Sequence, residues 1–232
     1  MVTLRSRFRA EEAGAAMVEM AIILPLLLTL LLGFVDFGYA FYQWNAADKA
    51  VQVGARLARI STPIAVTGIK SEAGTPADTT QVGNAVPAGT YSYRCSEDAT
   101  GTVSCTCPAG TCQDLTANKA AFNRIFCGDR PTCGTTVSSC QGGTNPGRPG
   151  MCDFFPGLSA TELRVEYIAT GLGYWTRPGG PVPTISVSII GHPFQFFFLG
   201  GLLNFANITM PNMASTVTGE DLSACFPSTS SC

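Results

Sequence analysis

Gly14-Ala-Ala-Met-Val-Glu19-Met-Ala-Ile-Ile-Leu-Pro25-Leu-Leu-Leu-Thr-Leu-Leu-Leu-Gly33-Phe-Val35 is the stretch that decides the fold. Glu19 is its one charged residue. As a helix rising about 1.5 Å per residue, Ala15 to Val35 spans about 31 Å, which matches a hydrocarbon core of about 30 Å. Arg5, Arg7 and Arg9 precede the run, and basic residues on that side favour a cytoplasmic N-terminus with the rest of the chain translocated. Tyr39, Tyr42 and Trp44 follow where an interfacial aromatic belt belongs.

Helical patterning continues past the apolar run. Ala47, Ala50, Val51, Gly54, Ala55 and Ala58 fall on one face, while Asp48, Lys49, Gln52, Arg56 and Arg59 fall on the other. Ser61-Thr62-Pro63 supplies the stop. The spacing predicts one helix over 15–60, about 69 Å long, with a membrane part over 15–38 and an amphipathic part over 43–60. An ordinary secretory signal is the competing reading. It would place the basic region at Arg5–Arg9, the apolar run at Met20–Val35 and cleavage after Gly38-Tyr39-Ala40, before Phe41. The product would be a secreted or tethered cysteine-rich binding module. Against it, the apolar run exceeds the usual 7–15 or so residues, Asp36 and Phe37 stand before the cut, and the helical pattern runs through it.

Composition narrows the function. The 232 residues suit one domain plus an added element, and only 13% are charged, against about 25% in soluble proteins. The 14 Lys and Arg nearly cancel the 16 Asp and Glu, so there is no electrostatic footprint for nucleic acid. A single histidine, His192, leaves little for histidine-based catalysis, and it reads as a loop or strand-end residue rather than a ligand. No nucleophile elbow, phosphate loop, zinc-protease helix or calcium loop is present, so no catalytic residue, cofactor or metal is expected.

Glu19 is the odd residue of the helix. A carboxylate in a membrane helix costs roughly 2.5–3.5 kcal/mol and marks a functional position with a partner to be named. Near a membrane end it could instead snorkel. If the chain were cut after Gly14, the new amino group on Ala15 would lie four residues before Glu19 and could pair with it, within a subunit or between neighbours.

A glycine, four small or apolar residues, then glutamate opening a membrane helix resembles the processing site of type IV pilin-like proteins. The wider stretch resembles the TadE-like minor pseudopilins of the tight-adherence (Flp) pilus machinery. Its carriers are Gly14 to Pro25, Gly33-Phe-Val-Asp36-Phe-Gly38 and Ala50-Val-Gln-Val-Gly54-Ala-Arg56. The resemblance implies cleavage between Gly14 and Ala15 by a prepilin peptidase, and a role for Glu19 in processing or assembly. It further implies a bacterial inner-membrane location, and as partners other pilin-like subunits and the pilus assembly platform.

Beyond residue 60 the chain turns rich in Thr, Gly, Ser and Pro, and over 61–160 loops are expected to dominate. Cys95, Cys105, Cys107, Cys112, Cys127, Cys133, Cys140 and Cys152 lie here, with Cys225 and Cys232 at the end. An even number in a translocated chain reads as a disulfide framework. The pairing stays open, Cys225 with Cys232 being the simplest local pair. Zinc fits poorly, because paired knuckles and nearby histidines are missing. Leu163, Val165 and Tyr167, then Ile185, Val187 and Ile189, alternate with polar residues and predict strands, as does Ser215-Thr-Val-Thr218. Phe194 to Phe205 is apolar but too short and too rich in glycine to cross a bilayer, so it reads as core packing, or else as a surface for subunits or membrane. The expected fold is α+β: a basic leader over 1–14, a long N-terminal transmembrane helix, and an extracytoplasmic domain over 61–232. That domain holds a small antiparallel sheet, a cysteine-rich loop insert over 91–152 and C-terminal strands over about 161–218.

Overall fold

The computed structural model describes residues 2–70, 83–130, 133, 147–172, 174–176, 180–198, 200–201 and 208–219. It divides into two units: Met1–Gln43 with Pro193–Ile208, and Trp44–His192 with Thr209–Cys232. Helix α1, Val2–Arg59, runs from the first unit into the second. It begins before the predicted start, because residues 2–13 offer no proline or glycine and are rich in good helix formers.

Between Met20 and Val35 α1 is apolar on every side, and Met17, Ile22, Leu26 and Phe34 are all more than half exposed. A helix of this kind needs an apolar surrounding. Pro25 lies inside it and has no N–H for the helical ladder. Thr29 Oγ1 donates to the Pro25 carbonyl at 2.7 Å, so the hydroxyl needs no water.

The second unit is a five-stranded antiparallel sheet with short helices. Its strands are β1 (Tyr91–Glu97), β2 (Val103–Gly110), β3 (Leu163–Ile168), β6 (Thr184–Ile189) and β7 (Met213–Thr218), in the order β2-β1-β3-β6-β7. The two-residue strands β4 (Trp175–Thr176) and β5 (Gly180–Pro181) pair separately. Register aligns the inward side chains in rows: Cys105, Cys95, Val165 and Val187 form one, and Tyr93, Tyr167 and Ile185 the next. Tyr167 is fully buried and its hydroxyl accepts the Ile64 N–H at 3.0 Å, so burial pushes its phenol pKa up. On the other face Arg94 pairs across strands with Glu166.

The amphipathic end of α1 packs as its spacing predicts, with Ala47, Ala50, Val51, Ala55 and Ala58 buried. The small residues allow a close approach. A Cβ on Gly54 would press on the Met151 side chain, with Cγ at 2.8 Å, and meet Val187 Cγ1 at 3.0 Å.

The cysteine-rich region carries more regular structure than its composition predicts. It supplies β1 and β2, joined by a turn in which Asp98 Oδ1 accepts the Thr100 and Thr102 N–H groups, each at 2.9 Å. It also supplies α3 (Lys119–Cys127), whose N-cap Asn118 accepts the Ala121 N–H and whose Phe122, Ile125 and Phe126 are buried. The helices α2 (Val66–Lys70) and α4 (Met151–Phe154) are single turns. Disulfides join Cys95–Cys105, Cys107–Cys112 and Cys127–Cys133; Cys152 is also disulfide-bonded. Cys140 and the Cys225–Cys232 pair lie outside the described residues.

Candidate functional site: the two ends of the membrane-length helix

Among the described residues one helix, Gly14–Arg59, contains a segment long and apolar enough to cross a membrane. Gly14, Ala15 and Glu19 share its first turns, all exposed. A Cβ on Gly14 would meet nothing within 4 Å, so packing does not require glycine there. Glycine inside a helix costs roughly 0.5–1 kcal/mol relative to alanine, so Gly14 weakens the helix without serving the fold. No hydrogen bond or ion pair of the Glu19 carboxylate is formed among the described residues.

The far end of the apolar run is built differently. Asp36 is completely buried, and its two carboxylate oxygens accept consecutive backbone N–H groups. Phe197 donates to Oδ1 at 3.0 Å and Phe198 to Oδ2 at 2.9 Å. Two turns along the same helix face, Gln43 pairs with the backbone of Gln195: Oε1 accepts its N–H at 3.3 Å and Nε2 donates to its carbonyl at 3.4 Å. Ala40 is buried between them and leaves room for the segment to lie close. Tyr39 stacks obliquely on Phe197 at 4.8 Å and Phe37 meets Phe196 edge-on at 6.4 Å. The base of the segment closes where the Phe194 N–H donates to the Ile208 carbonyl at 2.8 Å.

The apolar segment after His192 is therefore not simply core. Phe197 is 63% and Phe198 45% exposed, while residues 202–207 lie outside the described set. Sequence reasoning took Asp36 only as a carrier of the family resemblance and did not single out Gln43; it tied neither to this segment. The available signal was a carboxylate at the end of an apolar run with an amide seven residues on, hence on one helix face.

Elsewhere polar groups pair with one another. His192 Nδ1 lies 2.8 Å from Glu162 Oε2, with Phe155 edge-on at 4.6 Å. Burial alone would raise the Asp129 pKa, but bonds from the Arg148 N–H and guanidinium, with the charges of Arg148 and Arg124, hold it below the usual carboxylate range. Burial pushes the Glu97 carboxyl up, opposed by Lys119 at 4.0 Å. Among the described residues no group of three or more His, Cys, Asp or Glu could hold a metal ion.

No curated protein and no solved structure matches the chain. A family model matches residues 14–56, from the glycine at the helix start to the Gly54-Ala-Arg56 that packs on the sheet. The matched family is that of the TadE-like proteins, and over this segment the chain is similar to them.

Proposed function

We propose that the chain is a minor pseudopilin of a bacterial Tad (Flp) pilus or related secretion apparatus. It sits in the inner membrane by α1, with its N-terminus cytoplasmic and the sheet domain outside. The observation that carries this reading is the TadE-like match over residues 14–56 on a helix apolar all round. The function is assembly rather than catalysis.

A prepilin peptidase removes the leader after Gly14, where an exposed glycine with no packing role is an accessible cut. The new Ala15 amine and the Glu19 carboxylate then lie one helical turn apart. In hydrocarbon each needs a partner of opposite charge, and helices packing laterally through their apolar faces can exchange that pair between subunits. The disulfide-braced domain serves as adaptor or tip component toward the assembly platform and the adhering surface.

Intact-mass and peptide mass spectrometry on protein from its native host tests the reading. The expected mature chain starts at Ala15. A start at Phe41 or an intact Met1 would overturn prepilin-type processing. Glu19→Ala is expected to block processing or assembly while the sheet domain stays folded; normal assembly and adherence by that variant would remove Glu19 from the mechanism.

A further inference from the structure

We propose that the segment Pro193–Phe198 is a second membrane-binding element, seated in the headgroup and acyl boundary of the outer leaflet beside α1. This rests on the reading of α1 as a membrane-spanning helix. From Ala15 to Asp36 the helix rises about 32 Å, so if Ala15 enters the hydrocarbon, Asp36 lies at its far boundary.

The segment is held at that level. Both Asp36 oxygens are taken by the Phe197 and Phe198 amides, and Gln43 holds Gln195 two turns further on. What the segment presents there is apolar and aromatic: residues 193–198 contain no charge and include Phe194, Phe196, Phe197 and Phe198. Phe197 and Phe198 are exposed, so their rings are not consumed by the packing that fixes their backbone. Aromatic rings at this depth, beside Tyr39 and Tyr42 of the helix, form the kind of belt that settles at a membrane interface.

The lipid boundary is favoured over a protein partner by continuity. The exposed rings adjoin a helix surface that itself requires apolar surroundings, and no charge lies in the segment to steer a polar partner. The carboxylate that fixes the segment is not lost to lipid, because two N–H donors satisfy it.

The test places the full-length chain in phosphatidylethanolamine and phosphatidylglycerol nanodiscs containing a lipid with an acyl-chain diazirine. Irradiation is followed by peptide mass spectrometry. The expected result is lipid adducts on residues 15–38 and also on Phe196–Phe198. In Asp36→Ala, which removes both bonds, the adducts on Phe196–Phe198 are expected to fall by about tenfold or more, the factor that loss of even one charge-assisted hydrogen bond gives, while those on residues 15–30 persist. Labelling of the helix without the segment would overturn the inference and leave the membrane reading standing. Labelling of neither would overturn both. Undiminished labelling in Asp36→Ala would refute anchoring by that carboxylate.

Discussion

Gly54→Ala is the substitution whose sign separates a packed helix from a free one. On an exposed helix the change is stabilising by about 1 kcal/mol, because alanine has the higher helix propensity. Here the added Cβ would press into Met151 and lie 3.0 Å from Val187 Cγ1, and both side chains are fully buried. Overpacking a filled interior costs roughly 1–3 kcal/mol. Set against the propensity gain, this predicts a net loss of about 1 kcal/mol. Gly54→Val adds two more methyl groups with little propensity gain, and about 2–3 kcal/mol is expected. Met151→Ala removes the obstructing atoms at its own cost of roughly 2–5 kcal/mol. Combined with Gly54→Ala it should cost about 1 kcal/mol less than the sum of the two single changes. The assay is urea unfolding of the full chain in detergent micelles, followed by near-ultraviolet circular dichroism of buried Tyr91, Tyr93 and Tyr167. Stabilisation by Gly54→Ala, or additivity in the cycle, would refute the close approach of α1 to the sheet.

The same assay reads three further changes. Glu97 has a raised pKa through burial, so its favourable neutral form contributes fully below the usual carboxylate pKa and is lost as pH rises through the folded value. Glu97→Gln should therefore match wild type in acid and exceed it at neutral pH; an advantage confined to acid would contradict the sign. His192→Ala removes the bond to Glu162 and the edge contact with Phe155; a loss of about 2 kcal/mol is expected, and an unchanged urea midpoint would show the pair to be idle. The Cys95–Cys105 bridge closes a separation of 10 residues and Cys107–Cys112 one of 5. Chain entropy gives about 2.7 and about 2.1 kcal/mol, so Cys95→Ala with Cys105→Ala should destabilise more than Cys107→Ala with Cys112→Ala; the reverse order would mean that effects other than loop closure dominate.

What was legible in the sequence follows from how each element signals itself. Helix α1 announces itself by sustained hydropathy and then by an alanine stripe, and β3, β6 and β7 by strict alternation of aliphatic residues. Strand β1 was hidden because its inward positions are Tyr91, Tyr93, Cys95 and Glu97, which read as polar or as disulfide chemistry. Strand β2 contains Pro108, which an edge strand tolerates and a central strand would not. Helix α3 carries Phe122, Ile125 and Phe126 at helical spacing behind an Asn118 cap, but a reading of average composition over 61–160 smooths so short a signal away. Cysteine pairing could not be read, since it depends on register: Cys95 faces Cys105 only because β1 and β2 pair as they do.

The candidate site was half legible for a related reason. Glu19 stands out against its neighbours, and so does Asp36, yet the residues that give Asp36 its meaning lie 161 and 162 positions further on and act through backbone amides. No side-chain pattern encodes such a bond. The two acids bracket an uncharged run of about 24 Å, and they differ in what they still require. Asp36 has both oxygens occupied by N–H donors and can sit at an apolar boundary without a counter-charge. Glu19 has no bond among the described residues, and lipid offers it none. On the proposed reading Glu19 takes its partner at the end where the cut would create a free amine. Asp36 serves the chain's own architecture, so substitutions at the two acids should separate: Asp36→Ala is expected to release the aromatic segment, and Glu19→Ala to impair the proposed processing or assembly while leaving that segment in place.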